Sequence, residues 1–78
     1  MVEYRRKLKI NERLRIGNGT VLQQYIFRLP LLNNWVQSIS IITQSKTFRF
    51  GGQSYKSSNA QVHRALEQLV NLGALDKR

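Results

Sequence analysis

Hydrophobic and polar positions alternate with two different periods along this chain, and each period predicts an element. The clearest stretch is SSNAQVHRALEQLVNLGALDKR, residues 57–78. Val62, Leu66, Leu69 and Val70 fall at i, i+4, i+7 and i+8, with Ala65 beside them, which is one apolar face of a helix. Ser57 and Ser58 can cap the free amide donors at its start. Gly73 sits where a left-handed residue ends a helix. A helix over 58–72 follows, then the first residues of a strand. Gln61, His63, Arg64, Gln68 and Asn71 are left facing outward.

Residues 3–16 have the other period. Tyr4, Leu8, Ile10, Leu14 and Ile16 are even-numbered, while Arg5, Lys7, Lys9, Arg13 and Arg15 are odd-numbered. Alternation puts apolar groups on one face of a strand and positive charges on the other, with Asn11-Glu12 available as a hairpin turn. Two other readings stay open. Tyr4/Leu8 and Ile10/Leu14 are also four apart, as in a helix, and a basic arm can order on a partner. In each reading Arg5, Arg6, Lys7, Lys9, Arg13 and Arg15 form a concentrated basic segment, residues 1–16. Its bland counterpart is an edge strand whose charges discourage aggregation.

Gly17-Asn18-Gly19 is a break. Thr20 then caps a predicted helix with Val21, Leu22, Tyr25, Ile26 and Leu29 on one face. Pro30 ends it or opens a second helix at about 30–41, carrying Leu31, Leu32, Trp35, Val36 and Ile39. Residues 20–42 thus read as a helical pair, although the β-branched run Ile39–Thr43 weakens its end. Trp35 is expected to be a core anchor rather than a stacking platform. Residues 46–56, KTFRFGGQSYK, read as a hairpin turning at Gly51-Gly52. Phe48, Phe50 and Tyr55 are expected to pack under the last helix. The alternative is base stacking beside Lys46, Arg49 and Lys56.

Charge changes this picture most. Thirteen Lys and Arg face four Asp and Glu in 78 residues, for a formal net charge of +9. Such an excess repels itself and calls for a polyanionic partner. Its distribution is uneven: residues 17–45 hold one basic residue, Arg28, and no acid. The charge gathers in the N-terminal segment, the hairpin and the last helix, three regions that can surround one basic face and bind phosphates by counterion release. The size predicts a single domain, residues 1–78, with a modest core. There is no cysteine, so disulfides and thiolate chemistry are excluded. No apolar run of signal-peptide or membrane-span length is present, which makes a cytoplasmic or nucleoid-associated protein the expectation.

The last segment resembles the recognition helix and following strand of winged helix-turn-helix domains. Ala65-Leu66, Leu69 and Gly73-Ala74-Leu75 carry the likeness, which covers residues 57–78. The resemblance implies an α+β fold: a small winged-helix-like domain of three helices with a short β-hairpin or small sheet. It implies that Ser57, Ser58, Asn59, Gln61, His63 and Arg64 face nucleic acid. The 46–56 hairpin or strands of the N-terminal segment would stand in for the missing wing.

No catalytic constellation is legible. His63 and Glu67 can share a helix face, which is ordinary surface pairing. The acids Glu3, Glu12, Glu67 and Asp76 are scattered. No enzyme activity, cofactor or metal is expected. The expected function is nucleic-acid binding, with duplex DNA favoured, as a small transcription or replication regulator of viral or plasmid type, acting without a membrane and as a homodimer. RNA binding near the ribosome, or inhibition of a partner through an acidic protein surface, are the competing expectations.

Overall fold

A computed structural model describes residues 2–7 and 20–78. Lys9, Arg13 and Arg15, the alternation beyond Lys7 and the Gly17-Asn18-Gly19 break lie outside the described residues. The fold is α+β: three α-helices, a small antiparallel sheet and a separate hairpin, as in a small winged-helix-like domain.

The N-terminal strand β1 spans Glu3–Arg6 and is the middle strand of the sheet. Tyr4 is 2% exposed, so one face of the strand turns into the core. Helix α1, Val21–Phe27, starts at Thr20, whose hydroxyl accepts from the Gln23 amide at 3.2 Å. Its buried residues are Gln23, Ile26 and Phe27.

The second half of the expected helical pair needs correction. Pro30–Asn33 is one 3₁₀ turn, Val36–Gln37 is strand β2, and helix α2 spans Ser38–Ser45. Leu31, Leu32, Trp35, Val36 and Ile39 therefore do not share a helical stripe. Long-range pairing wins here: Val36 stands opposite Tyr4 and Gln37 opposite Glu3 in antiparallel register. Helix α2 buries Ile41, Ile42 and Ser45 instead and leaves Ile39 on the surface. Burial of two isoleucines outweighs the weak helix propensity of a β-branched run.

Strands β3, Thr47–Phe50, and β4, Gln53–Lys56, form the hairpin. Gly51 and Gly52 have φ of +60° and +81°, the paired left-handed conformation of the two-residue turn that matches strand twist. Phe48 faces Tyr55 across the ladder, and Arg49 faces Ser54 on the opposite side. The aromatic side packs on α1 rather than under the last helix alone: the Phe48 ring stacks on Tyr25 at 4.2 Å.

Helix α3, Asn59–Asn71, buries Val62, Ala65, Leu66 and Leu69. Gly73, at φ +79°, ends it, with its N–H on the Val70 carbonyl and the Ala74 N–H on the Leu69 carbonyl. The turn feeds strand β5, Leu75–Lys77, whose partner comes from the N-terminal segment: β1 and β5 pair antiparallel, Tyr4 opposite Lys77 and Arg6 opposite Leu75. The core lies between the sheet and the three helices, centred on Tyr4, Ile26, Leu32, Ile41, Leu66, Leu69 and Leu75.

Candidate nucleic-acid interface

Parity along β1 decides the fate of its arginines. Arg6 shares the inward side with Tyr4. Its guanidinium donates to the Phe27 carbonyl at 2.8 Å, to the Leu29 carbonyl at 2.6 Å and to the Asn33 side chain. Burial lowers its pKa from the usual arginine value. Arg6 thus ties the end of α1 to the 3₁₀ turn and is not a free phosphate ligand, contrary to the sequence expectation. The Leu29 carbonyl accepts from the Leu32 N–H as well, at 3.1 Å, so Arg6 adds a second donor where the 3₁₀ turn begins.

Arg5 turns outward but is compensated. Its guanidinium lies 3.7 Å from the Asp76 carboxylate and 4.7 Å from the centroid of Trp35. Arg78 covers the same ring at 4.2 Å and donates to Glu3 at 3.0 Å. Trp35 is therefore half-buried between two arginines on the outer side of the sheet, not a core anchor. Lys7 is exposed at the end of β1, where its backbone N–H bonds to the Ala74 carbonyl.

The third described acid, Glu67, belongs to the same side of the molecule. It accepts from Lys77 at 2.7 Å and from the Tyr4 hydroxyl at 3.2 Å. The Lys77 hydrogen bond, together with Tyr4 and the nearby His63, holds this carboxyl below the usual carboxylate range against the opposing effect of desolvation. Every acid among the described residues is thus answered by a base on the sheet side.

The hairpin side is different. From Thr20 to Leu66 the chain has five Lys and Arg and no Asp or Glu. Lys46, Arg49, Lys56 and Arg64 are exposed there. The Ser57 N–H bonds to the Lys46 carbonyl at 2.9 Å, which holds Lys46 beside Lys56 at the base of the hairpin. Arg28 lies 5.6 Å over the Phe50 ring and steadies the hairpin tip.

Between the hairpin and α3 lies a cleft of about 300 Å³. Phe48, Tyr55 and Lys56 line it from the hairpin, and Gln61, Arg64 and Gln68 from α3, with Thr20 at its edge. Gln68 is fixed by a hydrogen bond from the buried Gln23. Phe48 lies between Tyr25 and Tyr55, the second pair at 5.3 Å.

Of the residues expected to face nucleic acid on α3, Asn59, His63 and Arg64 are exposed. Ser58 and Gln61 have prior duties. The Ser58 hydroxyl accepts from the Gln61 N–H at 3.2 Å, and the Gln61 carbonyl oxygen accepts from the Ser58 N–H at 2.9 Å. This reciprocal cap ties up half of the Gln61 amide and the Ser58 hydroxyl acceptor. Ser57 is half-buried in the linker and lines the cleft.

The sequence reading missed the Gln23–Gln68 hydrogen bond, the Tyr25–Phe48 stack and the Arg78–Trp35 contact. Only the i, i+4 relation between Tyr25 and the α1 face was locally visible. No cluster of three or more His, Cys, Asp or Glu able to hold a metal occurs among the described residues, and no described helix is long and apolar enough to cross a membrane. The chain has no match among family models, curated proteins or solved structures.

Proposed function

We propose that this chain is a nucleic-acid-binding protein that engages duplex DNA through the β3–β4 hairpin and the first two turns of α3, in a regulatory role in transcription or replication. The observation that carries this reading is the division of charge: paired acids on the sheet side, and Lys46, Arg49, Lys56 and Arg64 without an acid on the hairpin side. Uncompensated cations along one face neutralise phosphates and release counterions, whereas paired cations gain little by doing so. Phosphate contacts by the hairpin would fix the position of the domain, and Asn59, His63 and Arg64 would meet base edges. Glu67, one turn beyond Arg64, repels phosphate and confines the contact to the start of α3.

The test is a binding titration against duplex DNA, single-stranded DNA and structured RNA at two salt concentrations. Neutralising about five phosphates gives a slope near −4 to −5 in log K against log salt on duplex. Failure to bind any of the three at low salt would reject the nucleic-acid reading in favour of an acidic protein partner. Tighter binding to structured RNA than to duplex DNA would move the assignment to RNA.

A further inference from the structure

The cleft between hairpin and α3 combines three chemistries that a flat phosphate-binding surface does not need. Its floor is aromatic. Phe48 and Tyr55 line it with centroids 5.3 Å apart, Tyr25 stacks on Phe48 at 4.2 Å outside the lining, and among the described residues no further ring stacks on Tyr55. Its wall carries an oriented amide. The Gln61 oxygen is committed to the Ser58 N–H, so the Gln61 amide turns its NH₂ donors elsewhere. Its rim carries two cations, Lys56 and Arg64, neither in an ion pair with a described acid.

A stacking surface, a donor for a base acceptor and a cation for a phosphate together match one nucleotide. A base inside a duplex cannot use such a site, because its faces are covered by its neighbours and it must first leave the stack. The volume, about 300 Å³, lies at the lower end of the ~300–1,000 Å³ of ligand pockets, which suits a single residue and not a longer strand. We infer that the cleft is a subsite for one unpaired nucleotide, with its base against Tyr55, its edge at Gln61 and its phosphate at Lys56. This rests on the nucleic-acid reading and adds to it that the protein distinguishes nucleic acid bearing an extruded base from a fully paired helix.

Two labelled duplexes decide the matter, identical except for one extra unpaired adenine in the middle of one strand. Fluorescence anisotropy at a single salt concentration is expected to give about tenfold tighter binding to the bulged duplex, the scale of one base–aromatic stack. Tyr55→Leu keeps an apolar contact with Phe48 but removes the ring. It should bring the bulged duplex down to the paired value and change paired-duplex affinity by less than about twofold. Equal wild-type affinities that both fall with salt would overturn the subsite and leave the duplex-binding reading standing. No binding of either duplex would overturn both. A preference retained in folded Tyr55→Leu would also overturn the assignment. The wild-type protein supplies a measurement that needs no variant: the Gln61 side-chain amide resonances should shift saturably with the bulged duplex only, and equal shifts with both would reject the subsite.

Discussion

The Lys77 ammonium donates to the Glu67 carboxylate at 2.7 Å, joining the outer flank of α3 to the last strand of the sheet. The same carboxylate takes the Tyr4 hydroxyl, so strand, helix and strand meet at one acid. This junction closes the sheet side electrostatically and leaves the hairpin side as the only described face with acid-free positive charge.

A pH dependence follows from its signs. Glu67 titrates below the usual carboxylate range, chiefly because Lys77 bonds it, so its contribution is present at neutral pH and is lost as pH falls through the lowered value. Lys77 is raised by the Glu67 hydrogen bond, and Tyr4 is raised first by burial and then by Glu67, so their contributions are lost as pH climbs past the usual lysine and tyrosine ranges. Urea midpoints followed from neutral to acid should fall further for the wild type than for Glu67→Gln. Parallel acid limbs in the two proteins would show that the junction does not contribute.

The charge division predicts asymmetric binding mutants. Arg49→Ala and Lys56→Ala should each weaken duplex binding at all sequences and reduce the salt slope by about 0.9. Arg64→Ala should lower preference for a selected site more than it lowers non-specific affinity. Arg5→Ala and Arg78→Ala, on the compensated face, should leave the slope unchanged. A loss from Arg5→Ala as large as that from Lys56→Ala would place the contact on the sheet instead.

Arg6→Met tests whether an arginine in a basic segment works as structure. It removes donors from two backbone carbonyls and the Asn33 side chain, and charged hydrogen bonds of this kind are worth ~1.5–3 kcal/mol. A destabilisation of roughly 2–3 kcal/mol is expected in chemical denaturation, with the salt slope of the folded variant intact. A variant of normal stability that has lost one phosphate contact would reverse the assignment.

Ser58→Ala removes the hydroxyl that caps α3 and should cost about 1 kcal/mol. Leu66, fully buried, marks the scale of a core loss: Leu66→Ala should cost about 2–5 kcal/mol. Both are read from thermal or urea transitions. A Ser58→Ala penalty as large as that of Leu66→Ala would mean that Ser58 supports more than the cap.

Helix α3 was legible in the sequence because each of its signals is local. Ser58 and Gln61 are three apart, Gly73 follows two residues after the last helical one, and the buried face repeats within four residues. The hairpin was legible for the same reason, since Gly51-Gly52 dictates its own turn. Residues 30–45 were not, because Val36 is claimed by Tyr4 from across the chain, and no local spacing records a partner 32 positions away. Arg6 stands between these cases. Its even number put it on the side of Tyr4, but its acceptors on α1 and the 3₁₀ turn come from the fold. The cleft was hidden altogether, being assembled from the head of α1, the hairpin and α3.

The central place of β1 also sets an order of events in folding. Glu3 and Arg78 exchange backbone hydrogen bonds at 2.9 and 3.0 Å, so the sheet can close only by drawing together residues some 75 positions apart. The hairpin and the helices need no such search, and contacts of that separation are the slow ones to form. The domain is thus expected to reach its transition state with helices packed and sheet open. Leu75→Ala should then speed unfolding in stopped-flow experiments while hardly slowing folding, whereas Leu66→Ala should slow folding itself. The strand that completes the structure is the latch by which it comes apart.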